Sequence, residues 1–471
     1  MVEAGLGDLQ FERRQRAVLS NRRFLVLWLA QLFSQIAQNG ILFTLLVIVL
    51  TRTESTTNTS ILVLSYVVPS LIFGMVAGVL VDRWCKRRVL IATSLVRCAL
   101  AVAFLLSSDY VELLIIINLV FSAVGQFFTT AEVASVPFFV RKDQLIAANS
   151  LVSLAWTGAQ FAGMVFLAPI FLKTYGSDGL FIAAAVLFLI SAVLTRSLPP
   201  VEEQGNGQQE RFFQTAPREL VQALRLIRSD PPSLLAMGQL TLSSSLVLLF
   251  AVLVPRFMQE VLAVRPDDAV FIFTPTGIGA ILGLRLLPWL ASKVGKDRIV
   301  AFGLIGLAAC LIAMGLVQNM ADALETTEHF NPFGRERLGG LSLLVTLTMF
   351  FAGPLGLTYA MVNAPAQTVL HERAPPEMRG RVFGAQLAVA SLTAIFPLLL
   401  VGAIADIYGV SVVMFAIAVV VAGVAALSLY LVERQDSLLS AAPLVAEAAE
   451  EDGLPLEVGA RSSIDTPKGV G

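Results

Sequence analysis

Residues 78–90 read GVLVDRWCKRRVL, and this basic hairpin between two long apolar runs decides the fold. Gly78 removes the side chain near the end of the first run, where two membrane helices can then approach closely. Asp82 and Arg83 close that run, and Lys86, Arg87 and Arg88 open the next. An aspartate there can cap or pair at a membrane face, and a dense basic cluster between apolar segments marks a loop on the cytoplasmic side.

The same alternation of apolar run and short polar turn fills the chain. Twelve stretches are apolar almost throughout: 24–50, 60–81, 89–107, 112–139, 145–172, 179–198, 234–255, 269–291, 299–317, 341–365, 381–404 and 410–432. About 20 residues, rising about 1.5 Å each, cross a hydrocarbon core roughly 30 Å thick. Backbone amides find no water there, so each run must be helical. Composition agrees, because 56% of the chain is hydrophobic and only 14% is charged, against about 25% charged in a soluble domain.

Basic residues orient the runs. With both termini inside, 25 of the 33 Lys and Arg fall on the inner side and 6 on the outer. Arg97 and Arg285 sit within runs. Positive residues accumulate on the cytoplasmic side, which predicts cytoplasmic termini and a plasma-membrane protein, as in a bacterial inner membrane. The long outer loop 318–340 is an insertion whose role the sequence does not assign.

The runs divide into six and six. After the sixth, VEEQGNGQQE is a polar, glycine-containing linker. An amphipathic helix follows, with Thr215 placed to cap it, Pro217 in its first turn, and Leu220, Leu224 and Ile227 on one face. This helix is expected to lie on the cytoplasmic membrane face. The halves echo each other: Pro69 precedes Gly74-x-x-x-Gly78, and Pro275 precedes Gly279-x-x-x-Gly283, each followed by a basic loop. Such internal duplication typifies transporters built from repeated bundles. The expected fold class is an all-α membrane protein with twelve transmembrane helices in two pseudo-symmetric six-helix bundles. Its regions are a cytoplasmic segment 1–23, a bundle 24–198, a linker 199–233, a bundle 234–432, and an acidic, alanine-rich tail 433–471 expected to be disordered.

Several kinds of chemistry find no residues. A net charge of −1 suggests no nucleic-acid partner. Three cysteines (Cys85, Cys98, Cys310) are too few for a disulfide framework and read as small apolar packing residues. The two histidines, His329 and His371, form no metal-spaced cluster. Gly295-Lys296 is followed by Asp297 and lacks the upstream glycine of a phosphate loop, so the chain has no means of using ATP itself. No cofactor and no enzyme activity are expected.

Polar residues inside the runs are the candidate substrate path. The first run carries Gln31, Gln35, Gln38 and Asn39, the fourth Asn118, Ser122 and Gln126, the seventh Gln239 and Ser243, and the tenth Tyr359 and Asn363. Each either lines a water-filled cavity or hydrogen-bonds a neighbouring helix. Both readings stand, with the cavity favoured for the first run. Glu132 is the one acidic residue well inside a run, and Arg97 lies at similar depth on the preceding one. An ion pair between them is the favoured reading, and a proton-carrying Glu132 the other.

The hairpin resembles the loop between helices 2 and 3 of major facilitator superfamily transporters, G-x-L-a-D-R-x-G-R-K, with Gly78, Leu80, Asp82, Arg83, Lys86 and Arg87 on the pattern and Cys85 replacing its second glycine. Residues 127–151 resemble the drug- and siderophore-exporter (macrolide- and enterobactin-type) branch, through Phe128, Ala131, Pro137, Val140, Leu145, Ala148, Asn149 and Ser150. Pro376, Arg379, Gly380, Arg381 and Gly384 match the family's P-x-x-R-G-R-x-x-G loop. The resemblance implies alternating access around a central cavity lined by helices 1, 4, 7 and 10. It also implies that Asp82 docks near Gly380–Gly384 during the cycle. Related exporters often carry an Asp-Gly pair where this chain has Asn39-Gly40, and an amide releases no proton. The implied function is secondary, ion-coupled export of a small, amphiphilic molecule, with protons or another ion and membrane lipid as partners. A non-transporting receptor-like or assembly protein on the same fold is the alternative.

Overall fold

The computed structural model describes residues 18–141, 144–200, 212–265, 268–326, 342–375 and 379–451, and every regular element among them is helical. The first half comprises α1 (Arg22–Thr53), α2 (Thr56–Arg83), α3 (Lys86–Leu106), α4 (Val111–Phe139), α5 and α6. Here α5 is Leu145–Phe161 continued through a π-helical turn, Ala162–Leu167, into Ala168–Thr174, and α6 is Gly176–Arg196. The second half comprises α7 (Pro231–Glu260), α8 (Ala269–Val294), α9 (Lys296–Gly315), α10 (Leu343–Arg373), α11 (Arg379–Tyr408) and α12 (Val410–Glu451). Among the described residues, eleven helices are long and apolar enough to cross a membrane, and α8 adds a shorter apolar stretch, Ile272–Leu287.

Equivalent pairs pack in each half, α2 on α4 as α8 on α10, and α3 on α6 as α9 on α12. Lipid-facing side chains such as Leu106, Phe166, Phe350, Phe396 and Val419 remain exposed. That is the pattern of helices buried on one side and solvated by hydrocarbon on the other.

Local chemistry sets the element ends. The Asn21 side chain caps α1 by accepting from the Arg23 amide at 3.1 Å, and its Nδ2 donates to the Phe139 carbonyl at 2.6 Å, tying α1 to the end of α4. The hairpin turn between α2 and α3 is made by Trp84 (φ −103) and Cys85 (φ −60). Both φ values are open to any L-residue, so the missing second glycine costs nothing.

Three expectations need correction. The linker helix runs Phe212–Ser229, so Thr215 and Pro217 lie within it rather than at its start. Its apolar face does not rest on the membrane surface: Ala223 and Ile227 are buried against Met237 and Leu240 of α7, Leu370 of α10 and Val382 of α11. Asp230 joins Arg373 at 2.9 Å beside this contact. Last, α12 continues to Glu451 where disorder was expected from 433. The alanines at 441, 442, 446, 448 and 449 favour helix strongly enough to extend it; residues 452–471 lie outside the described set.

Candidate functional site

Arg97 sits where α1, α2, α3 and α4 converge, and it is 0% exposed. Its Nη1 donates to Ser34 Oγ at 2.8 Å and its Nη2 to Gln38 Oε1. Gln38 Nε2 in turn donates to the Tyr66 hydroxyl at 2.8 Å. The guanidinium lies over three aromatic rings, at 4.5 Å from the centre of Phe188, 4.8 Å from Phe121 and 5.6 Å from Phe128. Each desolvated cation–π contact is worth about 2 kcal/mol. Burial of the cation is thus offset by two hydrogen bonds and a cage of π-faces, while Nε finds no partner among the described residues.

The expected ion pair with Glu132 does not form. Glu132 is also 0% exposed, yet neither carboxylate oxygen has a hydrogen-bond partner among the described residues. It turns toward Trp156 of α5, whose Nε1 likewise lacks hydrogen-bond geometry to any acceptor. The reason is the register of α4: Phe128, one turn before Glu132, takes the place over Arg97. Equal depth in the membrane put the two charges on adjacent helices but did not turn them toward each other.

The polar stripes separate into two groups. Asn118 Nδ2 donates to the Leu62 carbonyl at 3.2 Å and to Ser65 Oγ at 2.8 Å, and Ser122 Oγ donates to the Tyr66 carbonyl at 2.6 Å. These stitch α4 to α2. Gln31 Nε2 reaches the Val152 carbonyl of α5 at 3.4 Å, and Gln239 Nε2 donates to Ser428 of α12 at 3.1 Å. In this conformation all four side chains bond to a neighbouring helix. Ser243 is buried at 1% and Gln35 at 8% exposure. The second group, Gln38, Asn39, Gln126, Tyr359 and Asn363, is half-buried. Asn39 Nδ2 donates to the Gln35 carbonyl at 2.8 Å, and Asn363 Nδ2 to the Tyr359 hydroxyl at 3.1 Å. Both bonds lie within one helix, so these side chains can turn to a ligand without breaking a helix contact.

Of the hairpin motif, Lys86 is buried at 1% exposure and lies 5.3 Å over the Phe138 ring, and Arg87 is half-buried. The side chains of Gly78, Asp82 and Arg83, and those of Arg379, Gly380 and Arg381, lie outside the described set. Sequence reasoning missed Ser34, Tyr66 and the three phenylalanines around Arg97. Ser34 falls one helical turn before Gln38, which is the signal that could have found it.

A π-helical turn adjoins the site. Within it Gly163 lies so close to α1 that an added Cβ would stand 2.5 Å from the Ile36 carbonyl oxygen and 2.8 Å from Asn39 Cβ. The model of the Major Facilitator Superfamily matches residues 27–329, from the first turns of α1 through α9, and includes Arg97, its partners and Glu132. The chain belongs to the Major Facilitator Superfamily. Among curated proteins it is similar to YfiS of Bacillus subtilis (strain 168), an uncharacterised MFS-type transporter, at 24% identity over 361 residues covering 75% of this chain and 79% of YfiS. It is also similar to YkuC of the same organism, likewise an uncharacterised MFS-type transporter, at 28% identity over 195 residues, 40% of this chain and 45% of YkuC. Among solved structures it shares the fold of the nucleoside transporter NupG, with a TM-score of 0.64 at 11% identity over 86% of this chain and 98% of NupG. The POT family transporter PepTSo gives 0.64 at 13% identity over 88% of this chain and 98% of that one. Membership makes the protein a membrane transporter of a small molecule rather than an enzyme. In that setting the Arg97 cage and Glu132 are interior features of the first bundle of an MFS transporter.

Proposed function

We propose that this MFS protein is an ion-coupled exporter of a small amphiphilic molecule, working by alternating access with both termini in the cytoplasm. The observation that carries the coupling is Glu132, a fully buried carboxyl that, among the described residues, faces no cation and has only the poorly aligned Trp156 indole N–H beside it. An ionised carboxylate left so in a span bears a large desolvation cost, and a bound proton cancels it. Glu132 therefore carries the coupling proton, while Arg97, held by α1 and by π-faces, keeps a fixed positive charge in the same bundle. The half-buried amides and hydroxyl of Asn39, Gln126, Tyr359 and Asn363 line the substrate path. They offer hydrogen bonds but no charge, which suits an amphiphile better than an ion. Asp82 acts in the conformational cycle by docking near the start of α11. The outward direction rests on the resemblance of residues 127–151 to the exporter branch.

The test is transport in vesicles of purified protein under an imposed pH gradient, using a panel of fluorescent amphiphilic cations, neutral dyes and macrolides. Gradient-driven movement of one class is expected, with Glu132→Gln abolishing the dependence on the gradient while leaving substrate exchange at equilibrium. Gradient-driven transport by the Glu132→Gln protein would overturn the assignment.

A further inference from the structure

At the end of the molecule away from the linker helix, the two halves are joined by an unusual cap. Asp406 stands in the last turn of α11, in the second half, yet it binds the first turn of α2, in the first half. Its Oδ1 accepts from the Thr56 amide at 2.6 Å, and its Oδ2 accepts from the Thr57 amide at 3.0 Å, from Thr57 Oγ1 at 2.7 Å and from Ser55 Oγ at 2.9 Å. The first amides of a helix have no partner within it and carry the positive end of its dipole. A carboxylate is the strongest side-chain acceptor for them. Ser55 already caps the helix from within its own chain segment by accepting from the Asn58 amide at 3.3 Å. Asp406 is thus not needed to form α2; it supplies a second cap across the seam between the halves.

The approach that allows this is made by Gly402, one turn earlier on α11. A Cβ at that position would stand 2.5 Å from Ser60 Oγ, 2.8 Å from Thr57 Cα and 2.9 Å from the Thr56 carbonyl oxygen. Two further contacts cross the seam at the same end. Arg256 of α7 donates to the Glu54 carbonyl at 3.0 Å, and Lys173 at the end of α5 pairs with Asp268 at the start of α8 at 3.1 Å. The first is a hydrogen bond to a backbone carbonyl and the second an ion pair; both are solvent-exposed, so each is weak alone. The cap is different in kind: four donors converge on one carboxylate.

We infer that Asp406 is a positioning residue for transport, the latch that closes the far end of the molecule, and that Gly402 is the seat that lets it close. The latch breaks and reforms in each cycle as the bundles rock. Its donors are amides and hydroxyls that water can satisfy when the seam opens, so release leaves nothing buried and unpaired. An ion pair sealed from water at this place would resist opening far more. This inference rests on the alternating-access reading but makes no use of the substrate, the direction of transport or the coupling ion.

The test uses the full chain in lipid nanodiscs, with Cys85, Cys98 and Cys310 replaced by alanine. Spin labels at Leu106→Cys and Leu316→Cys, exposed positions at the far ends of α3 and α9, report the separation of the halves by double electron–electron resonance. Asp406→Ala is expected to move the population toward a longer distance, with the ratio of open to closed changing by about tenfold, equivalent to about 1.4 kcal/mol. Gly402→Leu, a wedge in the same seam, is expected to give the same long distance without touching the carboxylate. Ser55→Ala with Thr57→Ala removes two of the donors from the other side and is expected to shift the population in the same direction by less; it also serves if Asp406→Ala does not fold. If Gly402→Leu opens the far end and neither Asp406→Ala nor the double variant does, the latch is overturned while rocking of the halves stands. If no variant changes the distance, the latch and the rocking reading fall together.

Discussion

Replacing Arg97 by lysine is expected to damage the protein more than replacing it by methionine, the reverse of what charge conservation alone suggests. Lysine keeps a cation at a site that is 0% exposed but cannot reproduce the fork that reaches Ser34 and Gln38 at once or lie flat between Phe121 and Phe188. A buried charge deprived of its partners typically costs about 3–5 kcal/mol. Methionine removes the charge together with its desolvation penalty, and an apolar replacement for a buried ionic group commonly recovers about 1–4 kcal/mol. Two acceptors then lose their donor. The Ser34 hydroxyl can turn to a carbonyl of its own helix, as Ser94 and Ser135 do at 2.8 and 2.6 Å. Only Gln38 Oε1 is then orphaned, at about 1–3 kcal/mol. The terms nearly cancel, so Arg97→Met should fall within about 2 kcal/mol of the parent while Arg97→Lys loses about 3–5 kcal/mol. Reversible unfolding in mixed micelles, titrated with sodium dodecyl sulfate, measures both. A lysine variant as stable as the parent beside a strongly destabilised methionine variant would show that positive charge, not the cage, is what the site requires. The same assay tests the missing ion pair: Arg97 and Glu132 share no partner, so the cost of Arg97→Met with Glu132→Gln should equal the sum of the single costs within about 0.5 kcal/mol.

Gly356→Ala should destabilise the second half by about 3 kcal/mol, because its Cβ would stand 1.8 Å from the Thr276 carbonyl oxygen. Gly238→Ala, with nothing within 4 Å, should be neutral or gain up to about 1 kcal/mol from helix propensity; thermal unfolding in detergent separates the two. Asp230→Ala should cost about 1 kcal/mol in the same assay, since its carboxylate accepts from the Ser233 amide at 3.1 Å and caps α7, whereas its exposed pair with Arg373 adds little. Cys85, half-buried in the hairpin turn, should react with an impermeant maleimide only from the cytoplasmic side, in membranes where Cys98 and Cys310 are replaced by alanine; labelling in intact cells would invert the topology.

The fold was legible because lipid imposes few solutions: apolar length and the need to pair every amide leave only helices. The internal duplication and the basic hairpin could be read directly from Gly78–Arg88 and its echo at Gly279–Arg298. The site was less legible. Periodicity says that Asn118 and Ser122 share a face of α4, but not whether that face meets a cavity or the carbonyls of Leu62 and Tyr66. Depth says that Arg97 and Glu132 lie level, but rotation about each helix axis decides contact, and that is set by packing partners far away in sequence, such as Phe188 and Trp156. Asp406 escaped notice because it closes an apolar run like any end-of-span acid, while its partners lie about 350 residues earlier.

The duplication itself has been put to different physical uses in the two halves. In the second, α8 crosses α10 at glycine: a Cβ at Gly279 would stand 1.9 Å from the Gly353 carbonyl oxygen, and one at Gly283 2.8 Å from that of Leu357. Of the matching glycines of the first half, Gly74 has nothing within 4 Å, and the surroundings of Gly78 lie outside the described set. There α2 and α4 are joined by side-chain hydrogen bonds from Asn118 and Ser122 instead. Backbone-to-backbone packing at glycine depends on a fixed separation and favours a stiff pair, whereas side-chain bonds to carbonyls tolerate small shifts. Buried charge follows the same division. Lys86, Arg97 and Glu132 all belong to the first half, while the buried polar groups of the second, among the described residues, are hydroxyls and amides such as Ser243, Thr358 and Gln386. On the proposed coupling, a proton taken up at Glu132 would alter the electrostatics of the more adjustable bundle and leave the glycine-packed one as the frame against which it moves.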